Sequence, residues 1–386
     1  MLQGPHEAKM NATSTLLLGA VGLGVSARAT TVFAPGEAGI MCWRIPAIVD
    51  ATRAPAAATT GATAGQTLLA FAEARIKTCG DDTEKMMAMK RSTDGGHSWG
   101  VPQFIVGDNA TRVSSVWNPE PVVDVTTGTV FLAYLVNRTN CLARPGHCAA
   151  YMISSSDAAT QNTPTWSAPQ RLDSALGIYA NGVRPGPGRA LQLDVGPHAG
   201  RLLWSGSYDQ IDPKPPNQHT LDIVWYSDDQ GKTFTLAPSQ VVDGDESSLV
   251  QLANGTLLMS IRPALASKCK CRQVARSEDY GVTWGKMMDV PDLSSPRCQG
   301  SMVCPPLLHA LLPRSRIDHC QLKAVRCAVA QVRPTGQSAV FFSNPSSTVG
   351  RVNMTVRRSD DGGETFPRYM YLSIATVLRL IDLCDQ

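Results

Sequence analysis

Apolar residues along this chain come in short runs that leave turn residues. Thr67-Leu68-Leu69-Ala70-Phe71-Ala72-Glu73, Gly128-Thr129-Val130-Phe131-Leu132-Ala133-Tyr134 and Gly255-Thr256-Leu257-Leu258-Met259-Ser260-Ile261 each read as a strand following a turn. No long amphipathic helix pattern stands out. Residues 51–66, rich in Ala and Thr, and residues 305–337 read as loop insertions. The stretch 371–383 is apolar with mixed periodicity and fits either a helix or a strand.

One short pattern recurs between these runs. Ser92-Thr93-Asp94-Gly95-Gly96-His97-Ser98-Trp99 returns as Ser227-Asp228-Asp229-Gln230-Gly231-Lys232-Thr233-Phe234. It returns again as Ser277-Glu278-Asp279-Tyr280-Gly281-Val282-Thr283-Trp284 and Ser359-Asp360-Asp361-Gly362-Gly363-Glu364-Thr365-Phe366. A fifth copy, stretched by an insertion, runs from Ser155 through Asp157 to Thr165-Trp166. The unit has the chemistry of a hairpin turn. Its Asp accepts hydrogen bonds from the turn's own backbone, its Gly takes a positive φ, and its aromatic leaves as an inward-facing strand residue. Successive boxes lie between 50 and 82 residues apart. That interval suits four-stranded modules with variable loops and excludes a tight solenoid, so the chain reads as an all-β β-propeller. The boxes are structural, and such propellers serve many functions.

Composition narrows the partners. With 35 Lys+Arg against 32 Asp+Glu the chain is too near balance to imply nucleic acid. Its 32 Gly and 26 Pro suit many short strands. Lys9, the apolar run from Leu16 to Val25 and Ala27-Arg28-Ala29 read as a signal peptide over residues 1–29, leaving a propeller over 30–386. The apolar run is too short for a stable membrane span. The sequons at Asn109, Asn137, Asn254 and Asn353 agree with a secretory route, secreted or lumenal, with the lysosome among the destinations. Eleven cysteines include the locally spaced pairs Cys141/Cys148 and Cys320/Cys327, which suit short disulfide loops. No zinc-type spacing occurs, so neither a metal nor another cofactor is expected.

The boxes together with Cys42-Trp43-Arg44-Ile45-Pro46 resemble the sialidase (neuraminidase) family over roughly residues 30 to 368. The resemblance implies a six-bladed propeller, its final blade incomplete because the chain departs from the family after about residue 366. It implies an exo-α-sialidase, a glycoside hydrolase that removes terminal sialic acid from sialylated glycans as a monomer. A sialic acid carries a carboxylate on its anomeric carbon, which arginines grip in bidentate fashion. Arg44, Arg262 and Arg351 match the family's three, and Arg75 resembles a further substrate-facing arginine. Asp81 matches the general acid, with Asp82 as runner-up. Glu246 matches the carboxylate that deprotonates a tyrosine nucleophile, although Asp245 and Ser247 depart from the family's usual neighbours. Sialidases use a tyrosine because a neutral phenol approaches the carboxylate-bearing centre without repulsion.

The nucleophile has no match. The family carries its tyrosine well beyond the last box, and here Tyr371, a weak candidate, is the last one in the chain. Gln192 is a candidate neighbour of the pocket. Three readings follow: a retaining sialidase, a sialic-acid-binding propeller with little or no turnover, and a propeller interaction protein. The three matched arginines argue against the last.

Overall fold

The computed structural model describes residues 30–52, 66–81, 83–107, 116–137, 148–178, 183–211, 218–239, 241–242, 244–264, 267–304 and 339–371. The leader, both proposed loop insertions for most of their length, Asp82, Cys141, Cys320 and Cys327 lie outside these. Short strands fill nearly all of the described chain, and only one α-helical turn, Leu172–Ala175, interrupts them.

The strands form five antiparallel sheets. The first holds β1 (Cys42–Asp50), β2 (Leu68–Arg75), β3 (Lys85–Ser92) and β4 (Gln103–Val106), paired in that order. The second holds β5 (Val116–Val123), β6 (Val130–Val136), β7 (Ala149–Ser155) and β8 (Gln170–Arg171). In the third, the inner strand is split into β9 (Arg184–Pro185) and β10 (Leu191–Gln192), both paired to β11 (Leu202–Ile211). Its outer strand is likewise split into β13 (Thr235–Leu236) and β14 (Val241–Val242), both paired to β12 (Gln218–Ser227). The fourth holds β15 (Ser247–Gln251), β16 (Leu257–Ile261), β17 (Cys271–Ser277) and β18 (Met288–Ser294). The fifth holds β19 (Ser301–Val303), β20 (Val340–Pro345), β21 (Met354–Ser359) and β22 (Arg368–Tyr371).

This is the propeller expected, with one correction. Among the described residues there are five blades and not six, which is consistent with the expected incomplete final blade. Inner strands pack in succession, β1 on β5, β5 on β9 and β10, β10 on β15, and β15 on β19.

Each sheet carries one box, between its third and fourth strands, and the boxes behave as their chemistry requires. In the first, Ser98 donates its amide and hydroxyl to the Asp94 carboxylate at 2.9 and 2.6 Å, and Ser92 donates its hydroxyl at 2.8 Å. Asp229 with Thr233, Asp279 with Thr283 and Asp361 with Thr365 repeat this. The stretched copy also closes: the Thr165 amide reaches Asp157 at 3.0 Å across the insertion. The box aromatic packs back onto the preceding sheet. Trp166, Phe234, Trp284 and Phe366 join the four clusters that bond successive sheets. Trp99, in the first sheet, instead packs in a cluster with Phe33 and Ile40 from the segment before β1.

The last box glycine has two reasons to be glycine. Gly281 has a φ of +91, and a Cβ there would lie 2.4 Å from Leu203 of the preceding sheet. Gly231 and Gly363 stand the same way against Phe131 and Leu258. Gly281→Ala combines left-handed backbone strain, about 1–2 kcal/mol, with overpacking, about 1–3 kcal/mol. We expect about 2–5 kcal/mol of lost stability, measured by chemical denaturation. A loss below 0.5 kcal/mol would show that the two sheets part freely at this seam.

Candidate functional site

The antiparallel register sorts the two rims of the propeller. β1 begins beside the end of β2 and the start of β3, at Cys42↔Arg75 and Arg75↔Lys85. The box lies at the other end, where Leu68 faces Ser92. Connections from second to third strands therefore gather on the rim opposite the boxes. The family-matched residues stand on that first rim. Asp81 lies between β2 and β3, Arg262 between β16 and β17, and Arg351 between β20 and β21. Arg44 and Glu246 lie at the starts of the inner strands β1 and β15.

Local backbone explains the Arg-Ile-Pro motif. β1 bulges between Arg44 and Ala47, with Ile45 at a φ of +54. A β-branched residue in the left-handed region is strained, and the following proline cannot extend the ladder. The bulge bends the strand just after Arg44. β5 repeats the device, with Asn118 at a φ of +54 before Pro119 and a register shift between Trp117 and Glu120.

Two ion-paired groups result. In the first, the Asp81 carboxylate lies 3.3 Å from Arg44 Nη1 and 2.8 Å from Arg75 Nη1. The Cys79 carbonyl accepts from Arg75 at 2.6 Å and from Arg44 at 3.4 Å. Arg75 is wholly buried and donates from Nε and Nη2 to Glu73 at 3.0 and 2.7 Å. Glu73 also accepts from Lys85 and from the Asn118 amide, which ties the first sheet to the second. Burial raises the Asp81 carboxyl, but the guanidiniums of Arg75 and Arg44 and the Lys85 ammonium outweigh it and hold the carboxyl below its usual range. Burial brings the Lys85 ammonium down to about 7, against the upward pull of Glu73.

In the second group, Arg262 donates to Glu246 at 2.8 Å, and its Nε lies 3.4 Å from Asp245 without the alignment of a hydrogen bond. Burial alone would lower the Arg262 guanidinium. Glu246 and Asp245 reverse that and raise it. The Arg262 amide donates to the Glu246 carbonyl at 2.9 Å, so the two residues are paired through backbone and side chain alike. Fully buried Arg272 supports them, reaching the Glu246 carbonyl at 3.4 Å and the Cys298 carbonyl at 3.0 Å. Beneath the turn that carries Glu246, the Asp222 carboxyl occupies the place a Gly244 Cβ would take, 1.4 Å from that point. Burial, and then the nearby Asp245, push Asp222 well above its usual range.

A cleft beside the second group is lined by Asn118, Arg184, Pro185, Gly186, Ser207, Asp245 and Glu246. Asn118, Arg184 and Ser207 were not read from the sequence. Asn118 lies in a strand that resembles one of the family's but has no role there, Arg184 and Ser207 carry no motif, and only the approach of β5, β9 and β11 brings the three together. Arg184 donates to the Ser207 hydroxyl at 3.3 Å. The Asn118 side chain donates to the Pro185 carbonyl at 3.0 Å.

Other candidates fall elsewhere. Among the described residues neither ion-paired group includes Arg351. Tyr371 ends the outermost strand of its sheet, opposite Thr355, three strand spacings or roughly 14 Å from the inner one. Gln192 bridges Asp124 and the Val125 amide on the box side of the molecule, so it is a structural link and not a pocket residue. Cys42 is bonded to Cys79, a pair 37 residues apart that the local spacings did not suggest. Cys148 is disulfide-bonded, and Cys269 is joined to Cys271. Cys269, Cys271 and Asp289 bring ligand-type atoms within 4.8 Å, but bonding the two sulfurs to each other removes the thiolates a metal would need. No helix among the described residues is long and apolar enough to cross a membrane.

Five box-bearing sheets with charged groups of both signs on the opposite rim define an Asp-box β-propeller with a polar mouth. The chain belongs to the BNR repeat-like domain family, whose pattern matches residues 66–376. It is similar to the sialidase of Micromonospora viridifaciens, 29% identical over 287 residues, 72% of this chain and 40% of that protein. It is similar to the sialidase of Bacteroides fragilis (strain YCH46), 25% identical over 351 residues, 86% of this chain and 55% of the relative. The chain thus spans about half the length of the curated relatives it matches. Among solved structures, a Hadza microbial sialidase, Hz136, matches with a TM-score of 0.66 at 21% identity, over 87% of this chain and 60% of that one. The NanB sialidase from Streptococcus pneumoniae matches with 0.67 at 14% identity, over 92% and 65%. The sialidase resemblance read from the motifs stands beside these matches.

Proposed function

We propose that the chain is an exo-α-sialidase, a glycoside hydrolase acting on the terminal sialic acid of glycoproteins, glycolipids or oligosaccharides. The observation that carries this is the division of one rim into two groups, Asp81 held by Arg44 and Arg75, and Glu246 held by Arg262. A carboxylate-bearing sugar suits this rim. Its carboxylate pairs with Arg44, Arg262 and Arg351, and takes from Arg44 the charge that Asp81 neutralises in the free protein. Asp81, relieved of that ion pair, takes up the proton it passes to the departing glycosidic oxygen. Glu246 serves as the base beside the anomeric carbon, oriented by Arg262 and by the backbone bond between them. The family's tyrosine remains unassigned in this chain.

We further infer that a sixth blade closes the ring between the fifth sheet and the first. The cluster of Trp99, Phe33 and Ile40 supports this, since every other box aromatic meets a neighbouring sheet. The Cys42–Cys79 bond supports the secretory route, because structural disulfides persist in oxidising compartments. A monomer suits a single site contained in one ring.

The test is binding of the dehydrated sialic acid analogue by calorimetry together with turnover of a fluorogenic sialoside. Arg351→Ala is expected to weaken binding by about 1.5–3 kcal/mol, the scale of a hydrogen bond to a charged group. Arg357→Ala is the control. Its guanidinium is committed to the Ser346 hydroxyl at 3.1 Å and stacks 5.3 Å from the Tyr369 ring, so binding changes little. Equal losses would show that overall basic charge, and no specific clamp, attracts the ligand. Binding without turnover would support the lectin-like reading.

A further inference from the structure

In the loop that carries Asp81, between β2 and β3, Lys77, Thr78, Gly80 and Asp81 are exposed, and Ile76, Cys79, Thr83 and Glu84 are half-buried. Its neck is closed by the Ile76 amide donating to the Glu84 carbonyl at 3.1 Å and by a Lys77–Glu84 ion pair at 3.2 Å. Asp81 itself is more than half exposed, with 57% of its side chain open to solvent. An exposed carboxylate at a loop tip has many places to go, and nothing in the loop's own sequence restricts it to one.

Cys79 restricts it. Its sulfur is bonded to Cys42, whose side chain is buried on β1 two residues before Arg44. Its carbonyl accepts from both guanidiniums that flank Asp81. Cys42 also faces Arg75 in the register of β1 and β2. One residue of the loop is therefore fixed covalently to the strand that carries the first arginine and by hydrogen bonds to both arginines. Asp81 follows it by two residues.

We propose that the Cys42–Cys79 disulfide is a positioning device for the acid, seating Asp81 over Arg44 and Arg75 so that it meets the leaving oxygen. The pair touches no substrate atom and acts through the loop. This inference rests on the sialidase reading of the site. Its consequence is a dependence on the leaving group. An alkoxide of a sugar must be protonated as it departs, whereas a stabilised aryl oxide departs with little help. A wandering acid therefore slows the first reaction and spares the second. A disulfide that only stabilised the fold would affect both equally.

The experiment compares the full-length chain with Cys42→Ser/Cys79→Ser, and with Cys42→Ala/Cys79→Ala as a second variant in case the first folds poorly. Two measurements are made. Hydrogen exchange of residues 76–84 reads the clamp without any substrate. Turnover of sialyllactose and of 4-methylumbelliferyl sialoside reads its effect on chemistry. We expect exchange at 76–84 to quicken by roughly tenfold or more while β5 to β18 keep their protection. We expect sialyllactose cleavage to fall by roughly tenfold or more, with the aryl sialoside changed less than about threefold. Unchanged exchange at 76–84, or an equal loss on the two substrates, would overturn the proposal. A wild-type chain that cleaves neither substrate would reject the hydrolase reading, and the exchange result alone would then decide whether the bond clamps the loop.

Discussion

Glu246→Gln is expected to lower kcat on a sialoside by ~100- to 10,000-fold, the range for removing a general base. Binding of the dehydrated analogue should change far less. The substitution keeps the size of the side chain and an oxygen able to accept from Arg262, so the 2.8 Å contact survives in a neutral form. Asp245, 3.4 Å from Arg262 Nε, still supplies a negative charge. What disappears is the capacity to take a proton. Steady-state kinetics beside calorimetry separate the two effects. A large loss of affinity with kcat preserved would show that Glu246 is only a counter-ion for Arg262.

Asp81→Asn should be nearly as damaging on a natural glycan, by ~100-fold or more, and should be mild on an aryl sialoside. The pH profile carries the second half of this expectation. In the free protein the guanidiniums of Arg75 and Arg44 and the Lys85 ammonium outweigh burial, so the Asp81 carboxyl sits below its usual range and is ionised at neutral pH. The profile of kcat/KM reports the free enzyme, so it should fall with rising pH across the neutral range as the protonated fraction shrinks. In the complex the substrate carboxylate takes up Arg44, which raises the Asp81 carboxyl. The limb of kcat that reports Asp81 should therefore lie at higher pH than the limb of kcat/KM. Coincident limbs would mean that substrate does not displace Asp81 from Arg44.

What could be read along the chain is what short-range chemistry sets. The box turns close through contacts four residues apart, Asp94 with Ser98 and Asp279 with Thr283, so their identity was legible without a fold. Even the stretched copy at Asp157 was legible, and it closes on Thr165 despite its insertion. The strands leaving the turns, at Leu68, Val130 and Leu257, followed from the apolar runs. Arg44, Arg75, Asp81, Glu246, Arg262 and Arg351 were located by motif, and the rim opposite the boxes receives all six because the strands alternate in direction.

Residue order alone therefore determined the module, its strand chemistry and the charged residues at the mouth, since each is encoded within a few positions. Tertiary structure decided how modules meet. Among the described residues five sheets stand where a six-bladed ring was expected, and blade number depends on how inner strands close round an axis and not on any one repeat. The Cys42–Cys79 bond was missed because a disulfide needs Cα atoms about 4.4–6.8 Å apart, and these come to 5.3 Å only once β1 lies against β2. Asn118, Arg184 and Ser207 share a cleft for the same reason. Arg184 and Ser207 face each other across β9 and β11 of the third sheet, and adjacency in the ring, which packing enforces, brings Asn118 of the second sheet to them.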